Sequence, residues 1–128
     1  MIKNRLSQPL QWLLVLTLPI LLLGVNLRVV TAHWLVRWEY RRPGFPPDPY
    51  GLSTSDRIDL ATVCQDYLAS NADISLLADL KLPNGEPAFN QRELRHMADV
   101  QAVFFALSLA GGISGLLWLS VGTASLSQ

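Results

Sequence analysis

The stretch Phe89-Asn90-Gln91-Arg92-Glu93-Leu94-Arg95-His96-Met97-Ala98-Asp99-Val100 runs into residues 102–121, which carry no charge. That junction decides the fold. A helix needs roughly 20 apolar residues to cross a bilayer core, so the sequence predicts a charged helical turn opening directly into a membrane span. Positions three and four apart share a helix face. Arg92, His96 and Asp99 therefore fall in one stripe, with Glu93 one turn before His96 on its flank. Ionisable groups at a membrane boundary cost least when they pair or serve chemistry, and histidine both accepts and donates protons under physiological conditions. This cluster is the leading candidate site, with His96 at its centre.

Working outward, half of the 128 residues are apolar, and they are concentrated in two blocks rather than spread as in a soluble core. Residues 10–27 form the other uncharged block, which continues past Arg28 to Val30. The expected fold is a mainly α membrane protein with two transmembrane helices and a small α/β extracytoplasmic cap between them. Its segments are 1–9 (cytoplasmic), 10–34 (first span), 35–100 (cap), 101–122 (second span) and 123–128 (cytoplasmic tail). The orientation rests on charge. Lys3 and Arg5 precede the first span, whereas residues 35–101 hold seven Lys/Arg against ten Asp/Glu, and cytoplasmic flanks are the ones enriched in basic residues. The expected location is a bacterial cell membrane, with the lipid bilayer as first partner.

A cleaved leader is the rival reading of the first block, because Val30-Thr31-Ala32 has the small-residue pattern of a processing site. Against it, the apolar run exceeds the usual 7–15 residues of a leader core, and Arg28 sits close to the supposed cut. Arg28 with His33, Trp34, Arg37 and Trp38 fits a retained helix with an aromatic interfacial belt.

Ten basic and ten acidic residues cancel, and no basic stripe is interleaved with aromatics, so a nucleic-acid partner is not expected. No phosphate-binding loop, HExxH, GxSxG or dinucleotide fingerprint occurs. The single Cys64 excludes an internal disulfide and a CxxC motif; its spacing to Leu60 and Leu68 marks it as a packed thiol. No metal or cofactor is expected.

Within the central segment, the first helix is expected to continue through Trp34 and Trp38 to about Tyr40. Four prolines between Pro43 and Pro49 then impose an extended loop. Arg37, Arg41 and Arg42 beside Trp34, Trp38 and Tyr40 form a cationic, aromatic collar suited to headgroup level. Ser53-Thr54-Ser55-Asp56 has the form of a capping box, and Leu60, Val63, Cys64, Tyr67 and Leu68 follow at helical spacing. Residues 80–82 and 87–89 flank Pro83-Asn84-Gly85-Glu86, a signal for a small hairpin. Asn90 and Glu93 form a second capping box ahead of the second span. In that span Gly111 and Gly115 have the GxxxG spacing of a close packing face.

Glu39-Tyr40, the loop from Phe45-Pro46 to Tyr50-Gly51, Ser55-Asp56-Arg57 and above all Phe89-Asn90-x-x-Glu93-x-x-His96-Met97-x-Asp99-Val100 resemble the bacterial lipoprotein intramolecular transacylases, the Lit family. The resemblance implies transfer of the sn-2 acyl chain of a diacylated lipoprotein to the amine of its N-terminal cysteine, without a cofactor. The resemblance matches His96 to the family's first histidine, and the chemistry of such a transfer then makes His96 the acid/base, Glu93 or Asp99 its orienting carboxylate and Arg92 or Arg95 the support for developing negative charge. The resemblance also implies a four-helix membrane protein with a strand-rich external domain, of which this sequence resembles the N-terminal half. A third helix, a second external histidine and a fourth helix have no counterpart before Gln128. The chain is thus expected to be incomplete for catalysis alone. It would associate with a second polypeptide supplying two more helices, or with itself, through Gly111 and Gly115. The alternative is a non-catalytic membrane subunit of a larger assembly.

Overall fold

A computed structural model describes residues 7–126 as five helices. These are α1 (Gln8–Val30), α2 (His33–Tyr40), α3 (Thr54–Ala69), α4 (Ser75–Ala78) and α5 (Gln91–Leu126). Lys3 and Arg5, on which the orientation rests, lie outside the described residues. The chain divides into two compact units, one of residues 1–27 with 106–128 and one of residues 28–105.

In the first unit, α1 and the C-terminal part of α5 are long and apolar enough to cross a membrane. Their surfaces support that reading: Trp12 and Leu16 are each 67% exposed and Leu116 is 70% exposed, which suits lipid and would be costly in water. The glycine face of α5 is occupied from within the chain. A Cβ added at Gly111 would lie 2.8 Å from the Cα of Gly24, and one at Gly24 would lie 2.9 Å from the Cα of Gly111. One at Gly115 would meet Leu21 Cδ1 at 3.4 Å. The close approach anticipated for a second polypeptide is thus made at Gly111 by α1, because glycine alone lets two helix backbones come this near.

The second unit is built by caps and one small core. Ser53 caps α3: its Oγ accepts from the Asp56 amide at 3.1 Å while its own amide donates to Asp56 Oδ2 at 3.0 Å. The expected capping box is therefore present. Tyr67 and Leu77, 1% and 0% exposed, meet Leu94 at the centre, with Val63, Cys64, Leu68, Phe89 and Met97 packed around them. Burying one such leucine stabilises by about 2 kcal/mol. Gln101 adds a polar tie, its Nε2 lying 2.8 Å from the carbonyl of Tyr67, 3.1 Å from that of Ser70 and 3.2 Å from that of Ala72. These carbonyls belong to the end of α3 and the turn beyond, where helical partners run out.

Two expectations change. The cap is not α/β: the described residues contain no strand, and the hairpin is reduced to one antiparallel bridge, Lys81 to Pro87. Its turn is real, with the Gly85 amide donating to Leu82 O at 2.8 Å and Gly85 at φ +86°. The central turn residues are Pro83 and Asn84 rather than Asn84 and Gly85. Two further bonds, Leu82 N to Glu86 O and Ala88 N to Leu80 O, each 2.8 Å, flank the bridge. Pro87 and Pro83 lack the amides a longer ladder needs. The first helix also stops early. It ends at Val30 and restarts at His33 across Ala32, whose φ and ψ of −77° and 130° are extended. The preceding Val29-Val30-Thr31 is a β-branched run, whose restricted side chains lower helix propensity.

Candidate functional site

The first turns of α5 are fixed at their start by Asn90. Its Oδ1 accepts from the amides of Arg92 and Glu93 at 2.9 and 3.0 Å, and its own amide donates to Glu93 Oε2 at 2.8 Å. This reciprocal pair is the second expected capping box. Leu94, Met97 and Gln101 then point inward, the first two into the core and the third onto the end of α3. Helical periodicity turns Arg92, Arg95, His96 and Asp99 to the opposite side and Glu93 to their flank, and all five are exposed.

The four expected site residues therefore share the outward side of one rigid element without bonding to one another. Glu93 is engaged by the backbone of Asn90. Neither hydrogen bonds nor ion pairs among the described residues join His96 to Glu93, Asp99 or Arg92. Chemically this is an accessible imidazole with a carboxylate one turn to either side, open to a substrate. Among the described residues, no three His, Cys, Asp or Glu side chains converge to hold a metal.

Two arrangements escaped the sequence reading. His33, taken as interfacial, places Nε2 2.8 Å from Asp66 Oδ1, linking α2 to α3 through half-exposed side chains. Nothing local in the sequence relates residues so far apart. The second is an arginine held against a stacked pair of aromatic rings. Tyr40 and Phe45 stack with centroids 4.7 Å apart, and the Arg57 guanidinium carbon lies 4.9 Å and 4.8 Å from those two rings. Arg57 Nη1 also donates to Pro46 O at 2.9 Å. Three of the segments that carry the family resemblance thus converge in space. They border an open cleft of about 630 Å³ shared with Arg41 and Arg42.

Cys64 packs against the small core as expected, and burial pushes its thiol pKa up. It has none of the cationic, exposed character of a reactive cysteine.

Comparison with known proteins gives one family. The model described as "Lipoprotein intramolecular transacylase Lit" matches residues 11–127. An uncharacterized protein of Aquifex aeolicus (strain VF5) is 28% identical over 108 residues, which are 84% of this chain and 50% of that protein. The chain thus spans about half the length of this curated relative. No solved structure matches.

Proposed function

The chain belongs to the lipoprotein intramolecular transacylase family, and from that premise we propose that it takes part in O-to-N acyl transfer on diacylated lipoproteins, with His96 as the acid/base. The observation that supports this most is the position of His96: exposed, on a helix turn fixed by the Asn90–Glu93 cap and backed by Leu94 and Met97.

In the proposed reaction the α-amine of the lipoprotein's N-terminal cysteine attacks the sn-2 ester carbonyl. His96 accepts the proton lost by the amine and returns it to the glyceryl oxygen as the C–O bond breaks, leaving an amide and a free hydroxyl. Asp99, a turn further on, orients the ring when substrate is bound. Glu93 acts through the helix start that it caps. Arg92 supports the negative charge that develops on the carbonyl oxygen. Donor and acceptor lie on one molecule, so proximity supplies much of the acceleration.

The segment between the spans faces outward from the cytoplasm in this reading, on the charge balance of the sequence, where lipidated N-termini are found. A further pair of helices completes the site in this reading, in keeping with a relative about twice as long. A second reading, a non-catalytic membrane subunit, draws on the exposed apolar surfaces of α1 and α5.

The test is co-expression of the chain with a polypeptide carrying two further helices of the family, followed by mass spectrometry of lipoprotein N-termini. His96→Ala is expected to lower N-acylated product by about 10²-fold or more, with Asp99→Asn intermediate. Full conversion by the His96→Ala protein overturns the assignment. Association without any conversion by the wild-type pair favours the subunit reading.

A further inference from the structure

We propose that the cleft beside Tyr40, Phe45 and Arg57 binds the phosphate group of a membrane lipid headgroup. Arg57 carries the argument. It is half-buried and held against both rings of the stacked Tyr40–Phe45 pair, with Nη1 spent on the Pro46 carbonyl. The ion pairs of the described residues are His33–Asp66 and Arg42–Glu39, so Arg57 has no carboxylate within 4.0 Å. A cation withdrawn from water ordinarily takes a counter-ion. Here the neighbouring rings stabilise the charge in part, and the guanidinium edge not used by Pro46 keeps donors for an anion.

The rest of the lining agrees. Arg41 borders the same cleft, exposed and without a carboxylate partner. Arg42 is neutralised by Glu39 at 2.7 Å and contributes less. Asp48 also lines the cleft, and its Oδ2 is held by the amides of Tyr50 and Leu52 at 2.8 and 3.0 Å. The lining side chains therefore carry an excess of positive charge, concentrated on planar donors that match phosphate oxygens.

Chain continuity selects the source of the phosphate. Arg41 caps α2, which follows the apolar α1 after two connecting residues. The same helix exposes Trp34 and Trp38, 62% and 57%, side chains that settle at headgroup level, where lipid phosphates are the abundant anions. The site is separate in sequence and contacts from His96 and does not depend on the acyl-transfer reading.

The test uses the full chain in an uncharged detergent, with native mass spectrometry of bound lipid. Phosphatidylglycerol is expected to be retained, and diacylglycerol, with the same tails and no phosphate, is not. Arg57→Gln should weaken phosphatidylglycerol binding about tenfold or more, the scale of one lost charge-assisted contact. Arg41→Gln, a surface change that leaves the ring stack intact, should weaken it severalfold and guards against misfolding of the first variant. Equal retention of diacylglycerol, or unchanged binding in Arg41→Gln and in a folded Arg57→Gln protein, overturns the proposal. If inorganic phosphate binds as tightly as phosphatidylglycerol, the lipid is not the source and the proposal fails in that form.

Discussion

Single residues set the acid limit of the second unit. Hydrogen bonds from the Ser53 hydroxyl and amide hold the Asp56 carboxyl below its ordinary pKa of 3.8, and the Ser75 amide and hydroxyl do the same for Asp73. A carboxylate with a lowered folded-state pKa contributes stability that is present above the unfolded value and lost as pH falls through the folded one. Tryptophan fluorescence melts of the full chain should therefore decline progressively as pH falls below about 5 and through the lowered values of these two carboxyls. Asp56→Ala should melt lower than wild type at neutral pH and show a smaller decline; an identical acid limb in both proteins contradicts the account. Gln101 is a second case. Gln101→Leu leaves the Tyr67, Ser70 and Ala72 carbonyls without the donor they share, a loss of about 1–3 kcal/mol if they are shielded from water, read as a lower urea midpoint. His33→Ala should cost less, about 0–1 kcal/mol, because the pair with Asp66 is half-exposed. The capping residues Ser53, Asp56, Asn90 and Glu93 were legible in the sequence because a cap is a local pattern. Gln101 and the His33–Asp66 pair were not, because each bond joins residues about thirty positions apart.

Helices and turns show the same division between local and distant causes. The start of α5, the α3 stripe and the Pro-rich loop follow from spacing and proline chemistry alone. The hairpin was overread: Asn84-Gly85 does mark a turn, but Pro83 and Pro87 forbid the ladder that would make strands of its arms. The break between α1 and α2 was underread, since hydrophobicity continues through Val29-Val30-Thr31 while helix-forming tendency falls. GxxxG spacing identified the packing face of α5 but not its occupant. Gly24 is a lone glycine in an apolar run, and only the structure sets it against Gly111. That contact yields a sharp comparison. Gly111→Ala places a methyl 2.8 Å from the Gly24 Cα, whereas a methyl at Gly112 meets nothing within 4 Å. Gly111→Ala should thus lower the thermal midpoint of the detergent-solubilised chain, at a cost of about 1–3 kcal/mol for overpacking. Gly112→Ala should leave it unchanged or raise it through better helix propensity. Equal effects at the two positions would show that α1 and α5 do not meet there.

At the scale of the whole molecule, the orientation proposed for the central segment has a direct consequence for thiol chemistry. Basic residues at positions 3 and 5 precede the first span, and the acidic balance lies between the spans, so Asn84 should face the outside of the cell. Asn84 is exposed at the hairpin turn, bonded through its own side chain to neighbouring Glu86. An Asn84→Cys variant therefore presents a thiol without disturbing the core. The native Cys64 supplies the internal control: it packs beside the Tyr67–Leu77–Leu94 core, and burial keeps its thiol protonated further up the pH range, where it is a poor nucleophile. A membrane-impermeant maleimide applied to intact cells should label Asn84→Cys and leave the wild-type chain unlabelled. Permeabilising the inner face should add little. Placing the charge pair Lys3→Glu/Arg5→Glu in the same background should weaken the bias, because it removes the basic flank that retains the N-terminus inside. Labelling of Asn84→Cys only after permeabilisation reverses the topology. It would also remove the central segment, and His96 with it, from the side of the membrane on which the proposed lipoprotein substrate presents its N-terminus.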